Sequence, residues 1–155
     1  MADEGRWYAI VDGARDSRLH NLILRSREAD CLFSGEVAPE LAAASPHLVA
    51  FDPREPLFEL WQKEGGARHW GIFAQSALPF DGVRRQCKKL LNVVLPDGRV
   101  VLFRFWDPRV FTPFVTACSD AERTALFAGI TMYMVDGQDG QRRRYRLHQG
   151  ALQVA

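Results

Sequence analysis

The stretch VVLPDGRVVLFRFWDPRVF, residues 93–111, contains a tight turn between two apolar runs. The Pro-Asp-Gly triplet at 96–98 is typical of a hairpin turn and predicts strands over residues 93–95 and 99–106. Side chains alternate along a strand, so Arg104 is expected on the same face as Leu102 and Trp106. Because apolar residues stand on both faces of this strand, we expect other parts of the fold to cover both.

Arg104 is therefore expected in apolar surroundings, where an unpaired guanidinium is costly and a carboxylate partner is required. Asp12 and Asp52 each follow a predicted strand and are the candidate partners. Asp107 and Pro108 predict the start of a helix, because aspartate caps helix N-termini and proline suits the first turn. The Asp-Pro-Arg sequence that begins at Asp52 repeats this signal. We therefore expect structural roles for five residues: Asp12, Asp52, Arg104, Asp107 and Pro108.

The rest of the chain alternates strand and helix signals in its first half and contains hairpin signals in its second half. Ser119 and Glu122 have the spacing of a capping box, and the DGQDG segment at 136–140 separates two strand-like runs. We predict an α/β (α+β) fold: one domain over residues 1–155 with a core over about 7–147, a mixed sheet with helices packed on it, and a C-terminal hairpin. The remaining predicted strands cover residues 7–11, 31–33, 47–51, 69–74, 130–135 and 142–147, and helices lie near residues 19–23, 39–44, 57–64, 79–91 and 119–127.

Composition excludes several classes of protein. With 155 residues, 47% of them hydrophobic and 25% charged, the chain is typical of a soluble domain, and its net charge of +1 gives no global sign of nucleic-acid or membrane binding. Cys31, Cys87 and Cys118 form no CxxC pair, so reduced thiols are expected rather than disulfides or a metal site. The acidic N-terminus with its short apolar run resembles neither a signal peptide nor a membrane span, which predicts a cytoplasmic protein.

The sequence contains none of the common catalytic motifs. It has no GxGxxG after a strand, no phosphate-binding GxxxxGK, no HExxH and no GxSxG. Ser45 and His47 lack a recognisable third partner, and Asp12 and Asp16 are better explained as turn and cap residues than as an acid and a base. These observations do not exclude a catalytic triad assembled from residues that are distant in sequence. We expect no enzyme activity, no cofactor and no small-molecule substrate.

One predicted helix carries a basic stripe. Over residues 79–91 the apolar side chains form one face, and the opposite face carries Arg84, Arg85, Lys88 and Lys89. Such a stripe is either a solvated surface or a docking surface for an acidic protein. Nucleic acid is the alternative partner, favoured also by the arginines at 142–146, but no RRM, KH or helix-turn-helix signature accompanies them.

The aromatic residues around the Asp-Pro junction have two interpretations. Trp106, Arg109, Phe111 and Phe114 have the composition of an interface hot spot, and Pro113 is expected to limit any regular helix that would bury them. Aromatic side chains are equally typical of a core. The sequence alone leaves both a docking edge and a core position open.

Four segments together resemble a known family. They are WYAIVDG, ASPHLVAF, VRRQCKKLLNVVLPDGRVVLFRFWDPRV and LFAGITMYMVDG, and the resemblance covers roughly residues 7–147. They resemble the domain of unknown function numbered 4123, whose members are described as adaptors or chaperones of bacterial type VI secretion, encoded beside the VgrG spike and its toxic effectors. The FRFWDPRV segment after the PDGR turn is the most specific part of this resemblance.

The resemblance implies a non-enzymatic adaptor that binds an effector and helps load it onto the VgrG spike. It departs from the family at Gln86, which occupies the place of a histidine that is usual in the helix before the hairpin. A small nucleic-acid-binding or regulatory protein that uses the basic patches is the alternative function.

Overall fold

The computed structural model describes residues 5–33, 38–137 and 139–155, so the acidic start of the chain and Gln138 of the DGQDG segment lie outside the described residues. Within these ranges the main sheet has seven strands in the order β2-β3-β1-β4-β7-β8-β9, and strands β5 and β6 form a separate hairpin. The strands are β1 Arg6–Asp12, β2 Ala29–Cys31, β3 Pro46–Ala50, β4 Gly71–Ser76, β5 Asn92–Val94, β6 Val100–Leu102, β7 Met132–Asp136, β8 Arg142–His148 and β9 Ala151–Val154. The helices are α1 Leu19–Leu24, α2 Pro39–Ala43, α3 Pro56–Leu60 with a π-helical turn at Trp61–Gly65, α4 Phe80–Leu90, α5 Pro108–Ala117 and α6 Asp120–Leu126.

The predicted α+β fold and its C-terminal hairpin are confirmed, and the capping box of Ser119 and Glu122 starts α6. The sheet differs from the prediction in strand direction, because every neighbouring pair is antiparallel rather than mixed. Strand β9 was not predicted from the sequence. It pairs with β8 after a turn at Gln149 and Gly150, whose φ angles of 51° and 80° suit a tight hairpin.

Each face of the main sheet has its own core. Alternation along β1 directs Tyr8 and Ile10 to a first face, which is covered by side chains of α4, α5 and α6. Ala9 and Val11 point to a second face, which is covered by α1, α3 and the π-helical turn. The sheet therefore separates two surfaces with different helical layers.

The strand predicted over residues 99–106 is shorter than expected. Strand β6 ends at Leu102, and the Phe103 backbone N–H then donates to the Leu91 carbonyl oxygen at 2.6 Å. Phe105 and Trp106 lie in a turn, and both are buried in the first-face core. The prediction that both faces of the strand are covered is wrong, because the hairpin projects from the main sheet instead of joining it.

The two Asp-Pro-Arg sequences behave differently. Asp107 caps α5 and Pro108 occupies its first turn, as predicted. Asp52 accepts from the Arg54 backbone N–H at 3.0 Å in a turn, but α3 begins only at Pro56, so Asp52 does not cap the helix. Pro113 lies inside the ten-residue α5, contrary to the expectation that this proline limits any regular helix here. The helix continues through this exposed proline because its other face is held in the core.

Candidate interaction surface

The hairpin of β5 and β6 exposes five aliphatic side chains. We call them the hairpin surface: Val93, Val94, Val100, Val101 and Leu102. Within the described chain the two strands pair only with each other, so the outer edge of each strand is open. Apolar patches of this kind on a monomer mark interaction sites or aggregation-prone edges. The exposed fractions are 38% for Val93, 68% for Val94, 62% for Val100, 38% for Val101 and 44% for Leu102.

Register places these side chains on both faces of the hairpin. Val94 stands opposite Val100 on one face, together with Leu102, and Val93 stands opposite Val101 on the other. Gly98 has a φ of 86°, and Asp97 accepts from the Arg99 backbone N–H at 3.0 Å, which closes the turn. The sequence did not predict this surface, because a continuous aliphatic run is also typical of a fully buried strand.

The basic stripe on α4 is smaller than predicted. Arg84 is committed to ion pairs with Asp30 at 3.0 Å and with Asp81 at 3.4 Å, so it serves the fold. Arg85 donates to the Asp81 backbone oxygen at 3.3 Å and makes no ion pair with a residue that the structure describes. Among the described residues, Lys88 and Lys89 make no ion pair. Within the described residues, the cations of the stripe without an ion pair are therefore Arg85, Lys88 and Lys89. Lys88 and Lys89 lie in the last turn of α4, which ends two residues before β5 begins.

Two neighbours on α4 face inward. The Gln86 side-chain nitrogen donates to the Ala125 carbonyl oxygen at 2.7 Å, which ties α4 to α6 and removes this position from any partner surface. Cys87 is buried next to it, and burial raises the pKa of its thiol to about 12. Cys87 is therefore an unreactive core residue.

Asp12 is the partner of Arg104, at 3.0 Å between Nη2 and Oδ2. The two partners differ in burial, since 50% of the Arg104 side chain is exposed but only 3% of the Asp12 side chain. The guanidinium carbon also lies 5.8 Å from the centre of the Trp106 ring, a cation–π distance. The expectation of a buried arginine is therefore wrong, because the carboxylate is buried and the guanidinium covers it. Asp52, the other candidate partner, binds Arg54 instead.

Asp107 holds both the helix start and Arg109. Its Oδ1 accepts from the Arg109 backbone N–H at 2.9 Å and from Nε at 3.0 Å, while Oδ2 accepts from Nη2 at 2.8 Å. Burial raises the pKa of Asp107, but the hydrogen bonds from Arg109 outweigh this effect and leave it below its ordinary value. Arg109 is thus occupied locally and does not present a free cation to a partner.

The aromatic residues around this junction belong mainly to the core. Trp106 is 2% exposed and Phe111 is fully buried, with its ring 5.0 Å from that of Tyr133 and 5.4 Å from that of Tyr145. Phe114 is partly buried, and its ring lies 4.6 Å from that of Phe103. The proposed docking edge therefore does not include Trp106 or Phe111.

Arg104→Ala is expected to lower the free energy of unfolding by about 1–3 kcal/mol, because the buried Asp12 carboxylate loses its charged donor. The loss is smaller than for a fully buried ion pair because Arg104 is half exposed. Urea unfolding at pH 7 measures it. Adding Asp12→Asn to the Arg104→Ala variant should recover part of the loss, since an amide needs no cation. Wild-type stability of Arg104→Ala would contradict this structural role.

Comparison with known proteins places most of the chain in one family. The family model described as "Domain of unknown function (DUF4123)" matches residues 7–125, which include α4, the hairpin surface and α5. Neither the curated proteins nor the solved structures contain a match to the chain. In the part of the chain that the structure describes, no helix has the length and apolar character needed to cross a membrane.

Proposed function

We propose that this chain, which belongs to the DUF4123 family, is a non-enzymatic adaptor that binds a type VI secretion effector and helps load it onto the VgrG spike. The observation that carries the proposal is the hairpin surface, where five aliphatic side chains are 38–68% exposed. Solvent exposure of several neighbouring aliphatic side chains on each face of the hairpin is unfavourable unless a partner covers them. The link to secretion comes from the resemblance of the sequence segments to adaptors of that system.

The open edges of the hairpin favour a partner that supplies an extended segment. Added strands gain main-chain hydrogen bonds from an exposed edge and specificity from alternate side chains. Here the aliphatic side chains on both faces of the ribbon would contact the same partner from two sides. The cations Lys88 and Lys89 in the last turn of α4, with Arg85 one turn earlier, favour acidic residues next to that apolar segment.

A nucleic-acid partner is the second candidate, and the charges favour it less. Arg142 pairs with Asp136 at 2.8 Å, and Arg143 pairs with Asp139 at 2.8 Å, so part of the C-terminal basic patch is already neutralised. Exposed valines give phosphates and bases no hydrogen-bond donors. A protein partner accounts for the aliphatic residues and the cations together.

Co-expression of the chain with an effector and with the VgrG spike, followed by purification and a binding measurement, tests the proposal. Changing Arg85, Lys88 and Lys89 to glutamine is expected to slow association several-fold and to flatten its dependence on salt, because charges near an interface steer encounter. Arg84 is retained because it supports the fold.

The matched control changes Arg25, Arg27 and Arg68, which are exposed elsewhere, to glutamine. This control has the same loss of charge and should bind as the wild type does. If the wild type binds neither effector nor spike, or binds random DNA tightly with a steep salt dependence, the adaptor proposal is wrong.

A further inference from the structure

The second face of the sheet contains a pocket of about 240 Å³ that the proposed docking surface does not use, and we call it the aromatic pocket. It lies where the layer formed by α3 and the π-helical turn stops and strands β7 and β8 continue uncovered. The exposed guanidinium groups of Arg142 and Arg144 line it too. Its walls include the rings of Trp7, Phe51, Phe58, Trp61 and Phe73.

The walls are held by ring-to-ring contacts. The centre of the Trp61 ring lies 4.7 Å from that of Phe73, and Phe51 meets Phe58 edge-on at 4.8 Å. Gly65 permits this arrangement, because a Cβ atom at that position would overlap the Trp61 indole. Phe51 nevertheless remains 41% exposed, which leaves an aromatic edge available to a further ring.

The charges of the pocket are unbalanced. Arg142 is paired with Asp136 at 2.8 Å. Arg144 stands opposite Met134 in the sheet register and makes no side-chain ion pair with any described residue. Arg146 follows on the same face of β8, about 7 Å further along the strand. An apolar pocket next to an unpaired guanidinium is suited to a group that combines a ring with a carboxylate.

We propose that the aromatic pocket binds an aromatic side chain of a partner polypeptide and that Arg144 holds a neighbouring Asp or Glu carboxylate. The volume is below the range of about 300–1,000 Å³ that is usual for drug-sized ligands, which favours a single side chain. Of the two arginines among the described residues of the pocket lining, Arg144 is the one without an ion pair, and its single positive charge matches one carboxylate.

The aromatic pocket and the hairpin surface are separated by the main sheet. The hairpin follows α4, which packs on the first face, whereas the aromatic pocket opens on the second face. Two polypeptide segments can therefore bind at the same time without competing. This inference rests on the proposed function in one respect, the choice of a polypeptide as the occupant, and it gives the adaptor a second, independent contact.

Titration of the full chain with a capped Gly-Glu-Phe-Glu-Gly peptide, followed by NMR of the tryptophan indole N–H groups, tests the inference. Saturable shifts of Trp7 and Trp61 are expected, with binding at least tenfold weaker for Gly-Glu-Ala-Glu-Gly and for Gly-Gln-Phe-Gln-Gly. Arg144→Gln and Phe51→Ala should each weaken binding of the first peptide to a similar extent. Arg25→Gln, an exposed arginine on the loop after α1, serves as the matched control and should bind normally.

Equal binding of the phenylalanine and alanine peptides would overturn the inference, as would unchanged binding by Arg144→Gln. Indole shifts with adenosine monophosphate or a short single-stranded DNA, and none with the peptide, would replace it with a nucleotide site. Failure of the pocket is distinguishable from failure of the adaptor proposal. If the effector complex forms but no peptide shifts the indole signals, only the pocket inference is wrong.

Discussion

Phe111→Ala is expected to lower the free energy of unfolding by about 3–5 kcal/mol, the range for removal of a large buried aromatic side chain. Phe111 is fully buried and contacts the rings of Tyr133 and Tyr145, so it joins α5 to strands β7 and β8. Its loss leaves a cavity between the helix and the sheet that rigid neighbours cannot fill. Urea denaturation, followed by circular dichroism, measures the effect.

Phe114→Ala is the matched control on the same helix. Phe114 is only partly buried and packs on Phe103 at the edge of the core, so its replacement is expected to cost distinctly less than that of Phe111. Equal stability of Phe111→Ala and the wild type would contradict the buried position of Phe111 and would again favour a docking edge that includes it. If Phe111→Ala is too unstable to purify, Phe111→Leu should fold with a smaller loss, because it leaves less empty volume.

Local signals in the sequence predicted the fold well because they depend on few residues. The Asp107 cap, the capping box of Ser119 and Glu122, and the Pro-Asp-Gly turn each act within about four residues, and each occurs in the structure. Asp107 accepts hydrogen bonds from Arg109, two residues further along the chain, and Asp97 accepts in the same way from Arg99. Such contacts need no knowledge of the rest of the chain.

The features that the sequence did not predict depend on distant contacts. Whether the aliphatic run at 93–102 is buried depends on which element lies beside it, and the hairpin projects from the sheet. Arg84 is a structural residue because Asp30, 54 positions away, lies within reach. The aromatic pocket combines β1, α3 and β8, which are far apart in sequence, and neither the spacing nor the composition of any single segment indicates it.

Replacement of Val94, Val100 and Leu102 by threonine is expected to weaken effector or spike binding by about 100-fold or more. A central hot-spot side chain contributes about 2 kcal/mol or more, and these three lie on the same face of the hairpin. Threonine is well tolerated in strands, so the hairpin itself should persist. All three side chains are 44–68% exposed, and each change should alter the free energy of unfolding by no more than about 0.5 kcal/mol.

The matched control replaces Leu24, Leu41 and Val154 by threonine, because these side chains are 50–68% exposed at other places. Both triple variants lose a similar amount of exposed apolar surface, so a general effect of surface hydrophobicity would weaken binding equally in both. A loss confined to the hairpin variant, at unchanged thermal stability, assigns the contact to the hairpin surface. Wild-type affinity of the hairpin variant would instead show that the partner contacts another surface. The aliphatic residues of the hairpin would then have no role in binding the effector or the spike.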